Sequence, residues 1–487
     1  MNRKIIVNTL GKIALILGGL LLLPLAVSVI YGEWKQALSF LLTAAISAAG
    51  GFAAVRLTKK EKAADRMIFT REGLMIVGLA WLGVSLIGAL PFVISGDIPS
   101  YIDAFFETAS GFSTTGASIL RNIEGLSRGM LFWRSFTHWI GGMGVLVFLM
   151  ALAPYSPDTG RQVHIMKAEM PGPIVGKLVP RVKDTARVLY YIYIGLTVAE
   201  TVMLLCGGMS LYESVIHSMG TAGTGGFSVN TGSIGVYSPY IQWVVFAFML
   251  LFSVNFNLYY LILIKRFRDA FSSRELWLFF GIVAAAAVII GINTYNGDLA
   301  ETVRISAFQT ASFVSTTGYA TTTAVNAWPT FSKCILVALM FIGGCAGSTG
   351  GGLKLSRVMI MFKSVGRSLR RNASPRSVRS VRLDGKTVDE ETVSGAGNYF
   401  MLYFIILAVT TLLISFEPFD FEMLFTSALS CLNNIGPCFS AKIANPTFAD
   451  YTWFSKIVLS LAMLLGRLEL YPLLFAFTPG AWTRKSR

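Results

Sequence analysis

Four short segments of the chain place a glycine behind small hydroxyl or amide residues, a pattern whose backbone could bind a dehydrated monovalent cation. The segments align without gaps on four glycines: Gly116, Gly226, Gly318 and Gly436. The residue two positions earlier is threonine in three copies and asparagine in the fourth: Thr114, Thr224, Thr316 and Asn434. A helix-like apolar stretch precedes each turn, and two long apolar stretches separate one copy from the next. The sequence therefore predicts a fourfold internal repeat.

Turns of this kind, grouped around one axis, would present rings of peptide oxygens that can replace the water shell of a monovalent cation. Glycine allows the positive φ that turns successive carbonyls to one side, and it lacks the Cβ atom that would crowd the axis. The C-terminus of the preceding helix adds partial negative charge. A multivalent ion would favour a ring of carboxylates; because the turns contain none, the predicted ligand is monovalent. The alternative is that the turns only close helix hairpins, which suits one copy better than four.

A second glycine-rich stretch, residues 343–352, is predicted to interrupt a membrane span. Its small residues are Gly343, Gly344, Gly347, Ser348, Thr349, Gly350, Gly351 and Gly352. Each glycine costs a helix about 1 kcal/mol relative to alanine, and broken helix at membrane depth must line a cavity. A phosphate-binding loop does not fit, because Lys354 stands between two leucines and not between glycine and serine or threonine. A flexible kink that serves packing is the remaining alternative.

Arg467 lies deep in the last apolar stretch, where burying a charge costs roughly 2.5–3.5 kcal/mol on insertion scales. It is therefore predicted to face the protein interior or water. Glu469 lies on a different helix face and is a poor partner, so an ion pair with another helix stays open as the structural alternative. Glu107, His217 and Gln309 share the position nine before the aligned glycine and are predicted to support the turns by hydrogen bonds.

Carboxylates gather where the short helix-like stretches begin: Asp103, Glu213, Asp298, Glu301, Asp420 and Glu422. Acidic residues stabilise helix N-termini, which is the simpler interpretation. They would also concentrate cations at a mouth, and the two roles are compatible.

The elements that must position these residues are membrane helices. Of the 487 residues, 54% are hydrophobic and 14% are charged. Soluble domains carry about a quarter charged residues, so an ordinary soluble enzyme is excluded. Ten stretches are long and apolar enough to span a bilayer: 11–31, 36–57, 73–95, 130–153, 186–208, 239–264, 275–293, 330–352, 397–416 and 452–477. A second span follows the first at once, so the first is predicted to be a retained helix and not a cleaved secretion signal.

The predicted fold is an all-α polytopic membrane protein with four span–pore-helix–span repeats around a pseudo-fourfold axis. Two extra N-terminal transmembrane helices precede the repeats and occupy residues 1–70. The four repeats occupy residues 71–160, 161–268, 269–390 and 391–487, and the third includes the glycine-rich stretch and a basic loop.

The 41 lysines and arginines outnumber the 26 acidic residues and concentrate on alternate connections and at both termini. The positive-inside rule places those faces, and both termini, in the cytoplasm. The basic balance is thus a topology signal, and no nucleic-acid partner is expected. The basic loop 353–387 could dock a partner or serve topology alone. The five cysteines give no CxxC pair and no disulfide framework, and they are interpreted as small buried residues.

The glycine turns, together with the two extra N-terminal spans, resemble the TrkH/TrkG branch of the Trk/Ktr/HKT superfamily of potassium transporters. The resemblance covers nearly the whole chain. It implies that carbonyl groups of four filter turns bind K⁺: Thr114, Thr115 and Gly116; Thr224, Gly225 and Gly226; Thr316, Thr317 and Gly318; Asn434, Ile435 and Gly436. The fourth turn departs furthest from the family pattern. In plant relatives, serine at the position of Gly116 accompanies Na⁺ transport, so glycine here implies a preference for K⁺.

The same resemblance implies K⁺ uptake across the bacterial cytoplasmic (inner) membrane, with residues 343–352 as a gate and Arg467 below the filter. It also implies no cofactor besides the transported K⁺, a homodimer in the lipid bilayer, and a cytoplasmic ring of TrkA-type nucleotide-binding subunits. Neither HExxH nor GxSxG occurs, so enzymatic activity is not expected. The alternative function is a carrier for Na⁺ or a small solute, with or without ion coupling. Mid-span carboxylates would favour it, and Glu200 is the obvious candidate.

Overall fold

The fold consists almost entirely of helices. The computed structural model describes residues 3–58, 70–144, 182–321, 323–374, 380–443 and 446–482. Its α-helices are α1 (Arg3–Leu20), α2 (Leu22–Ile30), α3 (Trp34–Leu57), α4 (Thr70–Ser95), α5 (Tyr101–Phe112), α6 (Arg128–Gly142), α7 (Val182–Cys206), α8 (Leu211–Ala222), α9 (Pro239–Ser253), α10 (Phe256–Leu263), α11 (Phe267–Phe271), α12 (Arg274–Asn293), α13 (Leu299–Val314), α14 (Thr330–Ile342), α15 (Leu355–Ala373), α16 (Glu390–Ile414), α17 (Phe421–Asn433), α18 (Trp453–Arg467), α19 (Tyr471–Phe477) and α20 (Pro479–Trp482). Short 3₁₀ helices cover Ser233–Val236, Thr323–Ala327 and Phe448–Asp450.

A single small hairpin lies in the described part of the basic loop 353–387. Strands β1 (Arg382–Leu383) and β2 (Lys386–Thr387) pair antiparallel, with Arg382 opposite Thr387. Asp384 and Gly385 connect them, and both have positive φ, as a two-residue type I′ turn requires.

Several helices are long and apolar enough to cross a membrane. In the described residues there are six such spans: Arg3–Ile30, Trp34–Leu57, Arg71–Ser95, Arg187–Cys206, Arg274–Asn293 and Glu390–Ile414. A seventh arises if α9 and α10 are counted together, although the two helices are bent by 91°. The prediction of an all-α polytopic membrane protein is confirmed.

The N-terminal helices α1 and α3 cross at glycines. A Cβ atom on Gly51 would lie 2.6 Å from the carbonyl oxygen of Gly11 and 2.9 Å from the backbone nitrogen of Leu15. Without a hydrophobic driving force between helices in lipid, such close backbone contact is what small residues contribute to helix association.

The turn between α2 and α3 also reaches the first repeat. The Glu33 carboxylate accepts hydrogen bonds from the backbone N–H groups of Arg128 (2.7 Å) and Gly129 (2.8 Å) at the start of α6. These N–H groups have no acceptor within their own helix. The N-terminal helices therefore cap the first helix that follows a glycine turn.

The four short helices, α5, α8, α13 and α17, begin at polar side chains that cap their first backbone N–H groups. The capping residues are Ser100, Ser210, Asp298 and Asp420. Each short helix packs against the long helix before it: α5 on α4, α8 on α7, α13 on α12 and α17 on α16. The ends that carry the aligned glycines approach one another, since each of these glycines lies against the backbone of the next turn.

The helix after each glycine turn is too short to cross a bilayer core of about 30 Å at 1.5 Å per residue. Helices α6, α9 and α18 have 15 residues and α14 has 13. The end of α14 at Ile342 falls at the glycine-rich stretch. The part of predicted span 130–153 that follows residue 144 lies outside the described residues.

The prediction of a continuous span over 239–264 is wrong, because α9 ends at Ser253. The carbonyl oxygens of Phe252 and Ser253 accept hydrogen bonds from the backbone N–H groups of Thr349 (3.3 Å) and Cys345 (3.0 Å) in the glycine-rich stretch. The Asn255 side chain then caps the next helix. The N–H groups that would continue the helix also donate elsewhere, Phe256 to the Gly347 carbonyl (3.1 Å) and Asn257 to the Asn255 side chain (2.9 Å).

The prediction of a continuous span over 452–477 is also wrong. Helix α18 ends at Arg467, and Glu469 and Leu470 have φ of 52° and 70°. Pro472 follows in the first turn of α19, where its missing N–H is tolerated, whereas it would break the interior of a helix.

Replacement of Gly51 by leucine should destabilise the protein by about 1–3 kcal/mol, because the side chain meets the backbone of α1. The change in stability is measured by thermal unfolding in detergent, with the folded fraction detected by size-exclusion chromatography. Gly50→Leu is the matched control, since a Cβ atom on Gly50 meets nothing within 4 Å. Equal melting temperatures for the two variants would contradict the close crossing.

Candidate cation site

The four short helices end in the same backbone turn. The residue before each aligned glycine donates its N–H to a carbonyl five residues earlier: Thr115 to Ser110 (2.9 Å), Gly225 to Gly220 (2.9 Å), Thr317 to Ser312 (3.0 Å) and Ile435 to Ser430 (3.0 Å). The residue before that one is left-handed, with φ of 56° at Thr114, 53° at Thr224, 61° at Thr316 and 57° at Asn434. This is the Schellman ending, usually made with glycine. Threonine rarely adopts that conformation, and such strain gathers at functional sites.

The four turns close into a ring. A Cβ atom on Gly116 would overlap the carbonyl oxygen of Gly225, one on Gly226 would overlap that of Thr317, and one on Gly318 would overlap that of Ile435. The circuit returns to the first turn, because a Cβ atom on Gly436 would lie 2.6 Å from the carbonyl oxygen of Thr115. The turns therefore surround one axis, and only glycine leaves room for the neighbouring backbone.

A cavity of about 560 Å³ opens on the glycine side of the ring. All four aligned glycines line it, as do the residues that follow them in the chain: Ala117, Phe227, Tyr319 and Pro437. Arg121 and Asp450 lie in its wall and form an ion pair with each other. Among the lining residues that the structure describes, Asp450 is the sole carboxylate.

The three residues that were predicted to support the turns bind the chain just beyond each glycine. Glu107 accepts from the Ser118 hydroxyl (2.9 Å) and the Ile119 N–H (3.0 Å). The Nε2 atom of His217 lies 3.1 Å from the Ser228 hydroxyl, and Gln309 donates to Thr321 (3.4 Å). In each of these three repeats, a side chain on the short helix thus fixes the segment that leaves its turn.

Glu107 also forms a buried ion pair with Arg134 of α6. The Arg134 Nε atom lies 2.8 Å from a Glu107 carboxylate oxygen, and the side chains of Arg134 and Glu107 are 2% and 0% exposed. The Arg134 guanidinium lies 4.0 Å from the centroid of the Phe227 ring, which follows the second turn. Sequence reasoning missed Arg134, although a charge inside an apolar stretch is the signal that singled out Arg467.

The glycine-rich stretch lies against the opposite side of the ring from the cavity. The Gly351 N–H donates to the Thr316 hydroxyl (2.6 Å), and a Cβ atom on Gly351 would overlap the carbonyl oxygen of Asn433. A Cβ atom on Gly350 would lie 3.1 Å from the carbonyl oxygen of Ser315. The stretch is therefore packed directly under the ends of the third and fourth short helices.

The other residues that were predicted for this stretch stabilise its own backbone conformation. Gly343, Gly347 and Gly352 have φ of 69°, 70° and 77°, which glycine adopts at no steric cost. The Ser348 hydroxyl donates to the Cys345 carbonyl (2.7 Å). The Leu355 N–H donates to Gly344 (3.1 Å).

Arg467 forms hydrogen bonds both to the glycine-rich stretch and to the first repeat. Its guanidinium donates to the carbonyl oxygen of Thr349 (2.7 Å) and to those of Gly141 and Gly142 (2.6 Å each) at the end of α6. A cation there complements the negative end of a helix. Glu469 instead pairs with Arg357, so the two neighbouring charges of the fourth repeat serve different partners.

The carboxylates at the starts of the short helices form ion pairs and helix caps within the protein. Asp103 pairs with Lys456 (2.6 Å) and Glu422 with Lys333 (2.7 Å), while Asp298 caps α13. Partial burial raises the pKa of Asp420, but hydrogen bonds from Ser440 and from the Ala441 and Met423 N–H groups outweigh burial and lower it. The structure thus favours the helix-stabilising interpretation of these residues over a cation-concentrating mouth.

An all-helical membrane fold that aims four glycine turns at one axis is the architecture of a membrane cation transporter. The family model for TrkH, described as cation transport protein, matches residues 40–291 and 276–483. The chain belongs to the TrkH family.

Individual relatives match over almost the full length. The Trk system potassium uptake protein TrkH of Escherichia coli K12 is 34% identical over 491 residues, covering 99% of this chain and 100% of the relative. TrkG of the same organism is 32% identical, covering 94% of each chain. The crystal structure of the potassium transporter TrkH from Vibrio parahaemolyticus has a TM-score of 0.88 at 29% identity, covering 99% of this chain and 100% of that one.

Replacement of Arg134 by methionine should cost about 3–5 kcal/mol of stability, because it leaves the Glu107 carboxylate buried without its partner. Thermal unfolding in detergent gives the change. The double variant Glu107→Gln, Arg134→Met should recover part of the loss, since glutamine carries no charge. If Arg134→Met alone were as stable as the wild type, the Glu107–Arg134 pair would not support the turns.

Proposed function

We propose that the chain takes up K⁺ across the bacterial cytoplasmic membrane through the ring of glycine turns. The observation that carries the proposal is the closure of the ring, in which each aligned glycine abuts a carbonyl of the next turn. Peptide oxygens held in this way can replace the hydration shell of the ion. Membership of the TrkH family and the names of the relatives TrkH and TrkG, both potassium uptake proteins, support the same ion.

The proposed K⁺ filter comprises the carbonyl groups of residues 114–116, 224–226, 316–318 and 434–436. Monovalent ions fit this ring better than divalent ones, because divalent ions favour carboxylate ligands and the turns carry none. The cavity on the glycine side is the proposed outer vestibule, which follows if both termini lie in the cytoplasm as the basic connections indicate.

The glycine-rich stretch 343–352 is the proposed gate. Its contacts with Thr316, Ser315 and Asn433 at the ends of the third and fourth short helices support this role, because a conduction path through the ring would pass beside them. Arg467 holds it through Thr349 and places a positive charge beside that path, which opposes the passage of cations.

Regulation of this gate fits a partner on the cytoplasmic side. Helix α15 begins three residues after the stretch and forms more than half of the basic loop 353–387. We propose this loop as the docking surface of a TrkA-type nucleotide-binding subunit, and a homodimer as the assembly.

Replacement of Gly116 by serine should admit Na⁺ or abolish selectivity, because the new side chain displaces the Gly225 carbonyl that faces it. Uptake of ⁸⁶Rb⁺ into proteoliposomes, with and without competing Na⁺, measures the discrimination, and a loss of about tenfold is expected. Gly125→Ser, in an exposed loop of the same repeat, is the control. Unchanged discrimination in both Gly116→Ser and Gly318→Ser would count against the filter.

Replacement of Arg467 by alanine should raise K⁺ flux by about tenfold without unfolding the protein, since it removes charge-assisted hydrogen bonds that hold the gate. The flux assay above and a melting curve test the two parts separately. Arg268→Ala, at an exposed position of α11, should leave the flux unchanged. A normal flux in a folded Arg467→Ala protein would remove Arg467 from the gate.

A further inference from the structure

Glu200 is a carboxylate buried in the membrane part of the protein. It lies on α7, within the apolar span Arg187–Cys206, and its side chain is 0% exposed. Within the described residues, neither of its carboxylate oxygens has a hydrogen-bond partner. A carboxylate in this position is rare and is by default a sign of function.

The surroundings of Glu200 offer no countercharge among the described residues. Helix α7 packs against α8, α9 and α10, and α9 and α10 contain no charged residue. Helix α8 brings the Thr221 hydroxyl next to the carboxyl group, but that hydroxyl donates to the His217 carbonyl (2.9 Å). His217 itself faces Ser228 on the other side, and Glu213 lies at the exposed start of α8.

Two phenols lie near Glu200: Tyr193 on the same helix and Tyr319 after the third turn. The Tyr193 hydroxyl donates to the Trp139 carbonyl (3.0 Å). Neither phenol supplies a positive charge. An ionised carboxylate kept in this apolar environment without a partner is too costly to persist.

A bound metal cation does not solve the problem. A monovalent or divalent cation needs several oxygen ligands in place of its water shell, and the described helices α9 and α10 that pack on α7 bring no carboxylate to Glu200. No group of three metal-binding side chains occurs within the described residues. The ligand that one isolated carboxyl group can take is a proton.

We propose that Glu200 is a proton-binding site that is coupled to the ring of glycine turns. The proton comes from bulk water and adds to a carboxylate oxygen to form the neutral acid, and it returns to water on release. The neutral acid is the form compatible with the packing of α7 on α8. The coupling rests on the proposed K⁺ function, whereas the proton site itself does not.

The link to the ring runs through Thr221 and Tyr319. Thr221 lies three residues before Thr224 of the second turn, and Tyr319 directly follows Gly318 of the third. The Tyr319 hydroxyl reaches the carbonyl oxygens of His217 (3.2 Å) and Phe227 (3.3 Å), so it joins the third turn to the second. A negative charge on Glu200 would therefore arise beside the joint between two turns, near the negative C-terminal end of α8.

The experiment is ⁸⁶Rb⁺ uptake into proteoliposomes between about pH 6 and pH 10, the range in which buried carboxyl groups release protons. Wild-type uptake should fall by about tenfold per pH unit above a midpoint, as one required proton demands. Glu200→Gln, which mimics the neutral acid, should vary by less than about twofold over the same alkaline range. Glu213→Gln, at the exposed start of α8, should keep the wild-type profile.

Infrared spectroscopy of the full-length protein tests the site without transport. At neutral pH, the difference spectrum between the wild type and Glu200→Gln should show the C=O band of one protonated carboxyl group. If that variant does not fold, the wild type decides: a band that fades in parallel with uptake supports the proposal, and no band overturns it.

Three results overturn the proposal: an alkaline loss in Glu200→Gln equal to that of the wild type, a wild type with no alkaline loss, and a difference spectrum between the wild type and Glu200→Gln that lacks the C=O band. Failure of the wild type to take up ⁸⁶Rb⁺ at any pH contradicts the K⁺ function instead, and the infrared band then still decides the proton site.

Discussion

Neighbouring turns approach so closely at the four aligned glycines that backbone meets backbone around the whole ring. At three of them a Cβ atom would overlap the carbonyl oxygen of the next turn, and Gly436 leaves only slightly more room. The Schellman endings, the side chains that fix the outgoing segments and the long helices behind them all hold this contact in place. Because the circuit is closed, a shift of one turn must be accommodated by both of its neighbours. Protein interiors resist such shifts, since they are packed as densely as organic crystals.

Equivalent positions in the four turns have taken on different contacts. The Thr316 hydroxyl accepts the Gly351 N–H, whereas the Asn434 amide donates to the Thr115 hydroxyl (3.0 Å) and to the Met463 carbonyl (2.8 Å). Asparagine also tolerates the left-handed conformation better than threonine does. The turn that departs furthest from the common pattern is thus the one whose side chain joins the fourth turn to the first.

The turns and the glycine-rich stretch could be found from sequence because glycine marks a backbone need directly. The break in 239–264 could not, because this segment is almost continuously apolar and the groups that hydrogen-bond its carbonyls lie in residues 343–352. The break in 452–477 did carry a signal, since Pro472 disfavours a helix interior. The partners of Arg467 were equally hidden: they are carbonyl oxygens of Thr349, Gly141 and Gly142, which every residue type possesses. Arg134 carried a readable signal, but its partner Glu107 could be assigned only once α5 and α6 were placed side by side.

The contact between Glu33 and the start of α6 bears on how the two N-terminal helices can be gained or lost. Their turn supplies the oxygen atoms for two backbone N–H groups of the first repeat, so they are integral to that repeat and not a detachable anchor. A truncated chain that began at α4 would leave both donors to water or to lipid headgroups. A shorter homologue must therefore bring its own acceptor to that helix end, or start the helix at a residue that needs none.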